Sequence, residues 1–219
     1  MPSVPTDQAA LDRAVVVALG CNMPGAHADC GAAVRAASDR LESLGVVVIN
    51  RSSLWRSAAW PDPARPAYIN AVALVETSRS PQDLLALLHR IEAEFGRAPG
   101  PVNADRPLDL DLVAYGRLRS DGPDLVVPHP RAAERLFVMG PLAEIAPGWV
   151  HPRSGKTAAA LALAATVGRD AAPCPKTAEH PATDDGLSKG EQAAAPPATS
   201  LAEARRRSKV TAMPLEPSS

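Results

Sequence analysis

Aromatic side chains make up only 3% of this 219-residue chain. Its hydrophobic fraction of 46% is raised by alanine but still suffices to bury a core. Cysteine is sparser still. Cys21, Cys30 and Cys174 are an odd set without ligand-like spacing, which excludes a disulfide framework or a zinc site and suits a reducing cytoplasm. No sign of charge dominates: the formal net charge is −1 and the pI is near 6.5. No general electrostatic case exists for nucleic acid or anionic lipid as partner. The apolar run Ala14 to Leu19 is too short for a membrane span, and no basic segment precedes it as in a signal peptide. A G-x-x-x-x-G-K-[ST] phosphate loop is also missing, which excludes a P-loop kinase. Ser154-Gly155-Lys156-Thr157 copies only its end and reads as a turn entering a helix.

What is present falls into a domain and a tail. Beyond Gly168 the chain turns to Ala, Pro, Thr, Ser, Glu and Lys without aromatics, too little apolar surface to offset the entropy of ordering. Residues 168–219 are expected to be disordered, with a transient helix over Ser200–Lys209. The basic cluster Arg205 to Lys209 reads as solvated tail rather than a nucleic-acid contact. Residues 1–12 are expected to be flexible, leaving 13–167 as the domain.

Within the domain two periodicities alternate. Ala14–Leu19 reads as a strand, Asp29 caps a helix to Leu44, and Val46–Ile49 begins a second strand running on toward Trp55. Tyr68–Glu76 is a third strand. Ser80-Pro81 opens a helix whose apolar stripe runs from Leu84 to Phe95, and Leu108–Tyr115 is the fourth strand. The order βαββαβ predicts an α+β, ferredoxin-like core with extra helices C-terminal to it. Such a fold hosts many activities.

Chemistry concentrates in Arg106-Pro-Leu-Asp109-Leu-Asp111-Leu. Residues two apart on a strand share a face, so Asp109 and Asp111 project together while Leu108, Leu110 and Leu112 face the core. Paired carboxylates repel and call for a cation. Magnesium prefers oxygen ligands and binds through one or two carboxylates plus substrate phosphates; two such ions would clamp a polyphosphate. An isolated Asp-x-Asp more often marks a wet strand face. Here the company matters: Arg97 and Arg106 precede or adjoin the pair, and Val127-Pro-His129-Pro-Arg131 with Arg135 follows it. Guanidinium forks suit phosphate oxygens, and His129 can donate to them.

These segments together resemble the 6-hydroxymethyl-7,8-dihydropterin pyrophosphokinase family of folate biosynthesis. Ala18-Leu-Gly-Cys-Asn22, Ser52-Ser-Leu-Trp-Arg-Ser57, Tyr68-Ile-Asn-Ala71 and Pro141-Leu-Ala-Glu-Ile-Ala-Pro147 add further matches in the family's order. The resemblance implies transfer of the β,γ-diphosphate of ATP to the pterin hydroxymethyl oxygen, with AMP released. It implies two Mg²⁺ ions on Asp109 and Asp111, Arg97 and Arg106 as catalytic charge stabilisers that also bind ATP, and ATP contacts from His129 and Arg135. Glu92, on the second long helix, is expected as a further contact to the nucleotide or its surroundings. The pterin pocket would use Ser57, Ala58, Tyr68, Asn70 and Phe137, with Asn70 on the polar edge and Phe137 on the ring face. The chain departs from the pattern in four places, Pro130 being one of them. Cys21 replaces a serine, Trp60 stands at a variable position, and Asn103 replaces a tryptophan in a shorter loop before the aspartates.

Two other readings stay open. Nucleotidyltransferases and DXD glycosyltransferases also hold metal on paired aspartates, though a Gly-Ser turn or a nucleotide-sugar domain should accompany them. A ferredoxin-like ligand-binding module would not need Arg106, the aspartate pair and His129 together. The expected partners are therefore ATP and the dihydropterin, not nucleic acid or membrane, for a monomer in the cytoplasm.

Overall fold

The computed structural model describes residues 7–97 and 107–175. Arg106, Asn103, the loop over 98–105, and the tail from 176 with its basic cluster lie outside the described residues. In chain order the elements are α1 (Gln8–Arg13), β1 (Val15–Cys21), α2 (Cys30–Ser43), β2 (Val47–Arg51), β3 (Trp55–Ser57), β4 (Tyr68–Glu76) and α3 (Pro81–Glu94). They continue with β5 (Asp109–Tyr115), a small hairpin of β6 (Ser120–Gly122) and β7 (Leu125–Val127), α4 (Leu136–Ile145), α5 (Ala158–Ala164) and β8 (Ala172–Pro173).

The main sheet is antiparallel with strand order β5-β1-β4-β3-β8, and β2 also pairs with β4. Helices cover both faces. β1 is buried along its whole length because alternate residues feed two cores. Val15, Val17, Leu19 and Cys21 pack with Val34, Leu41, Leu84, Leu88 and Ile91 of α2 and α3. Val16 and Ala18 pack instead with Val138, Met139, Leu142 and Trp149 around α4, and with Leu161 of α5. This explains the unbroken apolar run, which a one-sided sheet would not need.

Local chemistry sets the helix ends. Asp29 accepts the Ala32 N–H at 2.7 Å at the start of α2. Ser80 accepts the Asp83 N–H at 3.1 Å, with Pro81 opening α3 and Gly96 (φ +90°) following its end. The strand expected from Val46 toward Trp55 is two strands, separated by Ser52 to Leu54. There the Glu144 carboxylate of α4 accepts the Ser53 N–H and Ser53 hydroxyl at 2.8 Å.

Both domain limits need correction. Residues 7–13 are not a loose end: Asp7 caps α1, and Leu11 is buried in the second core. Residues 168–175 are not tail, because β8 pairs with β3 at Ala172 and Pro173. A two-residue strand without apolar periodicity leaves almost no mark in composition, so composition alone ends the fold several residues short of β8.

Gly140 lets β3 and α4 approach. A Cβ there would lie 2.6 Å from Trp55 Cζ3, while the Trp55 indole N–H donates to Glu144 Oε2 at 2.7 Å one turn further along α4. Gly140→Ala is expected to destabilise the fold by about 1–3 kcal/mol, the usual range for overpacking. A thermal melt checks this; an unchanged midpoint would mean that the Trp55 ring moves aside freely.

Candidate active site

β1 and its neighbours build the floor of the site. In the sheet register Asp109 lies across from Gly20 and Asp111 across from Ala18. Gly20 in turn faces Asn70 on β4, and Asn70 faces Trp55 on β3. The partners of the two aspartates are thus the two smallest side chains on β1. They leave room above the sheet beyond the end covered by α4. A cavity open to solvent fills that room. It is lined by Ser57, Ala58, Trp60, Tyr68 and Asn70 together with Asp109, Asp111, Arg135 and Phe137.

Electrostatics follow from this crowding. Burial, and then the neighbouring Asp109 carboxylate, push Asp111 above the usual carboxylate range, against the pull of His129, Arg135 and Arg97. Its Oδ2 lies 4.0 Å from His129 Nε2 and 3.9 Å from Arg135 Nη1. Burial also lowers His129, opposed by Asp111. The His129 Nδ1 accepts the Arg131 N–H at 3.2 Å, which leaves Nε2 as the protonated nitrogen of the neutral ring, directed toward Asp111. Arg135 lies over the Phe137 ring, 5.6 Å from its centre, so one cation spans the acidic and aromatic ends of the cavity.

Arg97 reaches the same place from the end of α3. Its Nη1 donates to Asp109 Oδ1 at 2.9 Å and also to Glu92 Oε1. Glu92 itself is only 3% exposed and accepts the Leu110 N–H at 2.7 Å. It sits beneath the site and fixes Arg97 and β5 rather than lining the cavity. On the opposite side Asn70 donates to Ser57 Oγ at 3.1 Å, which orients the amide, and both residues are buried.

Of the residues expected from sequence, Ser57, Ala58, Tyr68, Asn70, Asp109, Asp111, Arg135 and Phe137 meet in one cavity. His129 and Arg97 stand at its acidic edge, Glu92 lies below, and Arg106 is outside the described residues. Reading the sequence missed the role of the small residues Ala18 and Gly20; the Ala-Leu-Gly run was the available signal. It also missed Asp170, whose carboxylate accepts the Ala58 N–H. Nothing in its surroundings marked it.

A profile of the family described as 7,8-dihydro-6-hydroxymethylpterin-pyrophosphokinase (HPPK) matches residues 16–147. The 2-amino-4-hydroxy-6-hydroxymethyldihydropteridine pyrophosphokinase of Synechocystis sp. is 40% identical over 156 residues, spanning 71% of this chain and 78% of that protein. The chain belongs to the HPPK family. A second relative, of the same description from Porphyromonas gingivalis, is 32% identical over 146 residues, 64% of this chain and 95% of its own length. The crystal structure of Plasmodium falciparum HPPK-DHPS with pteroate aligns with a TM-score of 0.52 at 12% identity, over 68% of this chain and 42% of that longer one. That likeness speaks to the fold alone. The HPPK match takes in every expected site residue, whereas α5 and β8 lie beyond it. No helix among the described residues is long and apolar enough to cross a membrane.

Proposed function

We propose that this HPPK-family chain transfers diphosphate from ATP to 6-hydroxymethyl-7,8-dihydropterin, giving AMP and the pterin diphosphate. The observation that carries the reading is a single cavity with two ends. One end presents a pair of strand carboxylates ringed by Arg97, His129 and Arg135; the other presents an amide and two aromatic rings. The first suits a metal-bound polyphosphate and the second a flat, polar heterocycle. The strand order β5-β1-β4 with β2 and β3 at the far side supports the ferredoxin-like arrangement of its core.

The carboxylate pair fits magnesium. Both groups offer hard oxygen donors on one strand face, and Asp111 is held above its ordinary range partly by its twin, so a divalent cation would relieve the repulsion. Two Mg²⁺ ions held by Asp109 and Asp111 would neutralise charge on the triphosphate and hold the β-phosphorus open to attack. Asn70 and Ser57 hold the polar edge of the pterin, and Tyr68 and Phe137 its faces. The pterin hydroxyl oxygen bonds to the β-phosphorus as the bond to the α-phosphate bridging oxygen breaks. AMP departs, and the hydroxyl proton is lost to solvent. His129, through its Nε2–H, and Arg135 donate to phosphate oxygens, and Arg97 and Arg106 stabilise the charge that develops. No side chain need act as a strong base, because positioning and electrostatics dominate such transfers.

Incubating the protein with ATP, Mg²⁺ and the dihydropterin alcohol, with nucleotides separated by chromatography, is the test. AMP formed in step with the pterin diphosphate is the expected outcome. ADP as the product would replace this reading with simple phosphoryl transfer, and loss of ATP without acceptor modification with hydrolysis.

A further inference from the structure

The stretch from Thr166 to Cys174 lies past the residues matched by the family profile, yet it touches both walls of the cavity. At one end it is tied to the segment that carries Arg135 and Phe137. The Thr166 and Val167 N–H groups donate to the Glu134 carbonyl at 3.0 and 2.9 Å, and the Leu136 N–H donates to the Val167 carbonyl at 2.9 Å. Gly168, with φ +66°, lies so close to the Phe137 ring that a Cβ there would come within 2.4 Å of Cδ1. At the other end Ala172 and Pro173 pair with Arg56 and Trp55 of β3, and the Cys174 N–H donates to the Leu54 carbonyl at 2.7 Å. Between the two anchors the Asp170 carboxylate accepts the Ala58 N–H.

We propose that residues 166–174 form a clasp that sets the distance between the Ser57–Ala58 wall and the Phe137 wall, with Asp170 as its positioning residue for the acceptor heterocycle. The proposal rests on the acceptor-site reading above. Ala58 follows the last residue of β3 and lines the cavity, so past that strand its peptide has no regular partner of its own. In a planar trans peptide the N–H and the preceding C=O point in opposite directions. Holding the Ala58 N–H on the clasp therefore also fixes the direction of the Ser57 carbonyl. Asp170 is itself exposed and does not line the cavity, so it acts on the acceptor only through Ala58. A flat ring bound between two walls loses affinity when either wall is free to move, because the cost of ordering it then falls on binding.

Steady-state kinetics separate this role from a merely structural one. Asp170→Ala should raise KM for the dihydropterin about fivefold, the effect of losing one hydrogen bond worth of positioning, with kcat and KM for ATP within twofold of wild type. Asp170→Asn should restore most of the loss, since its amide oxygen still accepts the N–H. Ala58→Pro removes the donor, and in that background Asp170→Ala should add nothing further. An unchanged dihydropterin KM in Asp170→Ala overturns the proposal. So does a parallel loss in kcat, both KM values and melting temperature, or an effect that simply adds to that of Ala58→Pro. Wild-type AMP formation is read first, so a failure of the reaction itself is distinguished from a failure of the clasp.

Discussion

Asp111→Asn is expected to lower AMP formation by about a thousandfold or more, because the variant loses a carboxylate of the proposed cation site, on which charge neutralisation would depend. The same substitution should leave the fold intact. Asp111 is held above its ordinary range, first by burial and then by Asp109, so its ionised form is disfavoured in the folded protein. The sign of the linkage follows. A carboxylate with a raised folded-state value contributes stability at low pH that is lost as pH rises through that value. At neutral pH the charge is thus a net cost, which asparagine removes. Loss of the weak pairing with Arg135, at 3.9 Å, works the other way and is small. Calorimetry should therefore show a melting temperature equal to or above that of the wild type. The wild-type enzyme should lose activity as pH falls through the Asp111 value, and higher Mg²⁺ should move that limb to lower pH, because the cation binds only the ionised form. A variant that kept more than a tenth of wild-type activity, or an acid limb indifferent to Mg²⁺, would remove Asp111 from the metal site.

How much of this site could be read from sequence depended on how local its determinants are. The aspartates were legible because strand alternation is a two-residue rule: once Leu108, Leu110 and Leu112 face the core, Asp109 and Asp111 must face away. The helix limits at Asp29 and Ser80 were legible for the same reason, since capping is decided within four residues. Glu92 was not. Its place on α3 gives a position on a helix face, but whether that face meets solvent or the back of β5 depends on how α3 packs, and it packs with the carboxylate under the Leu110 N–H. The clasp was less legible still. Residues 166–174 have no periodicity, and they are ordered by backbone hydrogen bonds to β3 and to Glu134, partners that composition does not reveal. Sequence separates the two sides of these contacts by up to 112 residues, as for Ala58 and Asp170.

Glu92 yields the second large effect, and its two replacements should behave differently. Its carboxylate is 3% exposed and meets two donors, the Leu110 N–H at 2.7 Å and the Arg97 guanidinium. Burial raises it above the usual carboxylate range, while the Leu110 hydrogen bond and Arg97 pull it down. Its charge is therefore not a clear source of stability at neutral pH, but its acceptor oxygen is. Glu92→Gln keeps an oxygen for the Leu110 N–H and should melt close to wild type. Glu92→Leu leaves that buried N–H without an acceptor and should cost about 2–3 kcal/mol, the penalty of an unmet buried polar group. Activity should not follow stability. Glu92→Leu removes the acceptor that Arg97 shares with the Leu110 N–H, and Glu92→Gln keeps that oxygen but loses its charge, so in both the guanidinium is held less firmly in its aim at the Asp109 end of the cavity. Roughly a tenfold loss in kcat is expected for Glu92→Gln at nearly wild-type stability, in line with a misaligned electrostatic group rather than a lost one. Thermal melts and initial rates on the two proteins decide between these roles. If Glu92→Gln were fully active, the Glu92–Arg97 pair would be a device of the fold alone, and the aim of Arg97 would have to come from the phosphates it meets.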